Sequence, residues 1–78
     1  MTINIKDTLM LDDNNEYVVV SKAFYNDKDY YYLTDKKNFN NIKICYQNAD
    51  YLVESNDKEV NTKLLPLFLM DAKKEFNI

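Results

Sequence analysis

Few residues of this chain are of a type that does chemistry, and their spacing limits what that chemistry could be. Asp12, Asp13 and Glu16 form the densest acidic cluster, and paired carboxylates can share acid and base work. They fall among turn-forming residues, where solvated acids are the ordinary occupants. Asp12, Asn14 and Glu16 also stand at alternate positions, as the opening ligands of a calcium loop do. The Gly at the sixth position and the distal bidentate Glu of such a loop are missing, so no metal site is expected. Cys45 is the only cysteine, and the chain has no histidine. Without a base, and flanked by Ile44 and Tyr46, it reads as a small buried hydrophobe rather than a nucleophile. The lack of His also removes imidazole ligands and Ser-His pairs. The lack of Gly removes phosphate-cradling loops. The chain is therefore expected to be no enzyme and to carry no cofactor.

Tyrosine is the distinctive residue type, with seven copies. Tyr30, Tyr31 and Tyr32 run consecutively, with Tyr25 across a turn and Tyr17 nearby. The plain reading is cross-strand packing in a small sheet, where aromatic pairs contribute about 0.2 to 1 kcal/mol each. The functional reading is a protein-binding surface made of Tyr17, Tyr25, Tyr30, Tyr31 and Tyr32. Tyr is favoured at interface cores, and an alternating strand must aim some of these rings away from a covering helix.

The elements that position these residues are legible from periodicity. Residues 2 to 11 alternate in two phases, Ile3 with Ile5 and then Leu9 with Leu11, which predicts a strand broken near Asp7. Asp12 to Asn15 turns the chain. From Glu16 to Thr34 the β-branched and aromatic residues around Asn26 to Asp29 predict a hairpin. In its first strand Tyr17, Val19, Ser21 and Ala23 are expected on one face and Val18, Val20, Lys22 and Phe24 on the other. In its second, Tyr30, Tyr32 and Thr34 oppose Tyr31 and Leu33. Ile42, Ile44 and Tyr46 against Lys43, Cys45 and Gln47 form a fourth strand, and Tyr51 to Glu54 a fifth or the far side of a bulge. Short connections permit only antiparallel neighbours.

The last third changes to a helical period, with Val60, Leu64, Leu65, Phe68, Leu69, Ala72 and Phe76 in one stripe. Asn56 with Glu59 has the form of a capping box, and Lys73 and Lys74 suit the negative pole of a helix. Pro66 predicts a kink, or a short turn over 57 to 63 followed by a helix with Pro66 in its first turn, because an interior Pro costs roughly 3 kcal/mol. Residues 57 to 65 could equally be turn or strand. The expected fold is one α+β domain over 1–78: a four- to five-stranded antiparallel meander packed by one C-terminal helix.

Composition narrows the partners. Net charge is -3 and every one of the ten cations is Lys. The lack of Arg, the residue best suited to bidentate phosphate contacts, argues against nucleic acid. Eleven Asn stand where turns would otherwise need Gly. No segment approaches the roughly 20 apolar residues that span a bilayer. One unpaired cysteine fits a reducing compartment, so a cytoplasmic protein is expected.

The order LDDNNEYVVV, a short turn, YYYLT and an Ile-alternating strand, over residues 9 to 46, resembles a group of small uncharacterised bacterial β-meander domains. In these an acidic turn and Glu-Tyr open a hairpin whose return strand carries Tyr. This chain lacks the Gly those turns hold. The resemblance implies the meander and no activity.

The expected function is a non-enzymatic protein-interaction domain, for which a phage or mobile-element accessory or inhibitor protein is one setting. An alternative is a small homodimer through the side of the helix, where Leu64, Leu67 and Met70, with Met10, extend the apolar width. Another is a single-stranded nucleic-acid binder that stacks bases on Tyr30 to Tyr32.

Overall fold

The computed structural model describes residues 3–76. Five strands, β1 (Thr8–Met10), β2 (Glu16–Tyr25), β3 (Lys28–Asp35), β4 (Ile42–Asn48) and β5 (Tyr51–Glu54), are followed by one helix, α1 (Lys58–Phe76). The sheet order is β1-β2-β3-β4-β5 and every neighbouring pair is antiparallel. This is the expected meander with a C-terminal helix. Among the described residues, no helix is long and apolar enough to cross a membrane.

Turns made without glycine shape the sheet. Asn26 and Asp27 adopt φ of 51° and 62°, the left-handed pair that lets a two-residue turn match the twist of its strands. The turn expected over 26 to 29 is thereby confined to two residues, with Tyr25 paired to Lys28. Asn14 takes φ 64° between β1 and β2, and the Asp13 carboxylate accepts the Asn15 N–H at 3.0 Å. Ala49, at φ 56°, turns β4 into β5. The predicted break near Asp7 is a bend at Lys6, φ 80°, held by the Asp7 N–H on the Asn4 carbonyl at 3.1 Å. It leaves β1 only three residues long and lays Ile3 across the sheet.

Strand alternation sends side chains into two separate apolar clusters. Val20, Tyr30 and Tyr32 pack with Val60, Leu64 and Phe68 of α1, and Ile44 and Tyr46 close the margin. On the opposite face Tyr17, Val19, Tyr31, Leu33 and Cys45 pack under Ile3, with Leu9, Leu11 and Leu52 at the edge. The expected faces of β3 and β4 hold. Those of β2 need a correction, because the register slips between Val19 and Ser21. The extra residue of this bulge inverts the pleat. Val19 pairs with Leu33 on the second face, whereas Ser21 pairs with Tyr32 and Ala23 with Tyr30 on the helix face. Tyr17 and Val19 are therefore not on the face of Ser21 and Ala23.

The helix begins one residue later than its sequence signature suggests. Asp57, not Asn56, caps it, accepting the N–H groups of Glu59 at 3.0 Å and Val60 at 3.2 Å, two of the donors that a helix start leaves unpaired. The start is tied to the sheet just before that cap. The Ser55 N–H donates to the Ile44 carbonyl at 2.8 Å. The Ser55 hydroxyl donates to Asn61 Oδ1, and Asn61 Nδ2 returns a bond to the Ser55 carbonyl. Residues 58 to 65 are helix, so Pro66 lies in the interior of α1 rather than in the first turn of a helix that begins after residue 63. Pro66 and Thr62 both lie on the exposed side, so the Thr62 carbonyl that lacks a proline N–H can bond to water. Of the expected stripe, Val60, Leu64 and Phe68 are buried, while Leu65 and Leu69 lie on the exposed flank. The side chains of Ala72, Lys74 and Phe76 lie outside the described residues.

Candidate functional site

The face opposite the helix carries the most chemistry. In a flat sheet β1 and β5 would lie about 19 Å apart, four strand spacings. Yet residues of both edge strands line one open cleft of about 610 Å³, so the sheet curls toward this face. Leu9 and Leu11 form one wall, Leu52 the other, and Cys45 the floor. Asp12, Asp13, Asp50 and Glu54 stand along its lining with a single lysine, Lys43.

A chain of polar contacts crosses one end. The Tyr17 hydroxyl donates to Asp13 Oδ2 at 2.7 Å and accepts from Asn41 Nδ2 at 3.2 Å. Asn41 also donates to Asp35 Oδ2 at 3.2 Å. Lys43 Nζ lies 3.8 Å from Asp13 and 3.5 Å from Glu54, and 5.9 Å from the centre of the Tyr17 ring, within range of a cation–π contact. The β1–β2 turn, β2, β4 and β5 are thus joined through one lysine and one phenol.

The electrostatics follow from these contacts. The Tyr17 hydroxyl, with the Asn15 N–H and Lys43, holds the Asp13 carboxyl below its ordinary range. The same hydrogen bond to Asp13, with burial, pushes the Tyr17 phenol up. Burial opposes the charge on Lys43, but Glu54, Tyr17 and Asp13 outweigh it and hold the ammonium above its ordinary range. Burial, with Glu54 adding to it and Lys43 opposing, pushes the Cys45 thiol up to about 11. That thiol is protonated at neutral pH, so Cys45 packs the floor of the cleft as a hydrophobe. Among the described residues, no group of three or more His, Cys, Asp or Glu could hold a metal ion.

Tyr17→Phe is expected to uncouple this end of the cleft. Without the donated bond the Asp13 carboxyl should titrate closer to its ordinary value, and the urea midpoint at pH 7 should fall. A group with a depressed folded pKa stabilises the fold above its unfolded value, and that contribution is lost as pH falls through the folded value. The variant should therefore lose less stability on acidification than the parent, measured by carboxyl NMR titration and by urea unfolding at pH 7 and pH 3.

The five tyrosines expected to form one exposed surface do not do so. Tyr25, Tyr30 and Tyr32 lie on the helix face and Tyr17 and Tyr31 on the other, and all but the half-buried Tyr25 are buried. Tyr25 meets Tyr30 edge-on at 6.3 Å, and Tyr32 packs on Phe68 at 5.6 Å. The Tyr31 hydroxyl donates to Gln47 Oε1 at 3.0 Å. Two rings do point away from the helix, but the Ile3 segment and the edge leucines cover them. Tyr30 to Tyr32 accordingly offer no open platform for stacked bases.

Of the acidic cluster, Asp12 and Asp13 reach the cleft, whereas Glu16 is exposed at the start of β2. Lys43, Glu54, Leu52, Asn41 and Asp35 were not singled out by sequence. The one available signal was parity: Lys43 and Cys45 share a strand face, and a β4–β5 hairpin places Glu54 opposite Cys45. On the helix, Leu64 is buried, while Leu67 and Met70 are 52% and 70% exposed.

No family model, no curated protein and no solved structure matches this chain.

Proposed function

We propose that this chain is a non-enzymatic protein-interaction domain whose contact surface is the cleft opposite the helix rather than a tyrosine face. The observation that carries this reading is an open, leucine-walled cleft of about 610 Å³ bordered by both edge strands of the sheet. Apolar walls supply burial for a partner side chain, and the carboxylates set orientation and sign. Protonated Cys45 and doubly paired Lys43 serve that cleft as packing and cross-link. The acidic lining repels a phosphate backbone and so disfavours a nucleic-acid partner.

The homodimer reading keeps one specific support. Leu65, Leu67, Leu69 and Met70 leave apolar area on α1 uncovered by the sheet, which a second copy could bury.

Capture on the immobilised chain, followed by sedimentation of the free chain, separates the two. The interaction reading expects a monomer at high micromolar concentration. It also expects a protein from native-host lysate that the parent retains and an Asp12→Lys, Asp50→Lys variant releases. A dimer that dissociates in a Leu67→Lys, Met70→Lys variant and retains nothing would replace it with the structural reading.

A further inference from the structure

The outer edge of β5 and the turn that leads into it present an acidic, apolar, acidic series on the wall of the cleft, Asp50 in the turn and Leu52 and Glu54 on the strand. Ser55 donates to the Ile44 carbonyl and the register pairs Tyr46 with Val53 and Gln47 with Leu52. In an antiparallel pair the hydrogen-bonded positions alternate. Val53 and the Ser55 N–H therefore face β4, while the backbone groups of Leu52 and Glu54 turn outward, where the sheet has no further strand among the described residues. The side chains of these same two residues line the cleft, and Asp50, two positions earlier, lines it as well. An added strand would thus find backbone donors and acceptors, an apolar contact at Leu52 and a carboxylate on either side of it.

We infer that the cleft takes an extended peptide segment of a partner protein, added as a sixth strand on β5, with basic residues at the two alternate positions flanking an apolar one. This rests on the interaction reading above and specifies its ligand class. Main-chain pairing supplies affinity without sequence preference, and alternate side chains supply the selection. Leu52 and Glu54 lie two residues apart on β5, about 7 Å along the strand, and Asp50 stands in the turn that leads into it, so carboxylates bracket the apolar Leu52 as two basic residues would bracket an apolar one. Asp12 and Asp13 face them from the other wall, so that with Asp50 and Glu54 four carboxylates stand against the one ammonium of Lys43. Glu54 keeps about half of its side chain exposed beside Lys43 and can meet a second cation. The short, charged edge is also what keeps β5 from pairing with unselected strands.

The test is selection of random twelve-residue peptides displayed on phage against the immobilised full chain at low ionic strength, followed by amide hydrogen exchange with the best peptide synthesised. The expected result is enrichment of Lys or Arg at alternate positions around an apolar residue, with slowed exchange at Leu52 and Glu54. Asp50→Lys should weaken that peptide about tenfold or more, and added salt should weaken it for the parent. Asp50 is exposed, so the variant should fold, which circular dichroism checks. Enriched peptides without basic residues, or protection on α1 alone, would overturn the strand-addition inference and leave an interaction protein with another surface. No enrichment at all would count against both. Concentration-dependent protection of Leu52 and Glu54 in the chain alone would make the occupant a second copy and overturn the inference.

Discussion

Phe68→Ala is expected to remove about 3–5 kcal/mol of stability, the usual loss when a fully buried phenylalanine is truncated. Small proteins have about 5–15 kcal/mol in total, so this one change should bring the fold close to its limit. Phe68 has 0% exposure and is the deepest helix residue in the first cluster, against Tyr32 and beside Leu64. Its loss leaves a cavity between layers that cannot close, because β3 behind Tyr32 is held by strands on both sides. Met70, two residues on and 70% exposed, is the control: Met70→Ala should change stability by about 0.5 kcal/mol or less. Urea unfolding of both variants checks the pair. Equal losses would mean that α1 does not seat on the sheet through Phe68.

The second large effect concerns Cys45. At pH 8 its thiol should react with iodoacetamide at least about a hundredfold more slowly in the folded chain than in urea. A thiol held at about 11 carries roughly a hundredth of the thiolate of an ordinary one at that pH. Its 2% exposure slows access further. The sign of the accompanying pH effect follows from linkage. A group whose folded pKa is raised stabilises the fold below its unfolded value, and that contribution is lost as pH rises through the folded value. For Cys45 the window runs from about 9 to about 11. Tyr30, Tyr31 and Tyr32 are raised as well, chiefly by burial, and extend the loss to still higher pH. Alkaline unfolding should therefore begin with the thiol and be completed by the phenols, followed by absorbance of tyrosinate. A labelling rate in the folded chain close to that in urea would mean that the cleft floor opens to solvent.

The two effects probe two cores that differ in how they are made. The first is closed by a helix whose stripe of Val60, Leu64 and Phe68 repeats every four residues, a local pattern visible in the chain. The second is closed by segments remote in sequence, the Ile3 bend, β1 and β5. Nothing in the composition distinguishes these edge leucines from those left exposed on α1.

The amino-acid sequence by itself determined the central hairpin, the fourth strand, a meander of four or five strands, and a helical apolar stripe in the last third. Those features depend on residues within a few positions of one another: Asn and Asp at left-handed turns, alternation in β3 and β4, and a four-residue apolar repeat. Tertiary structure alone decided three things. It placed a bulge at Val20, which inverts the face of β2, because three consecutive valines are equally apolar in either register and carry no parity signal. It chose Asp57 over Asn56 as the helix cap, because both can cap and the Ser55–Asn61 bonds to the end of β5 fix which one stands at the helix start. It also brought Asp12 and Asp13 into one cleft with Lys43, Asp50 and Glu54, because only the curl of the sheet brings the two edge strands to a shared cleft.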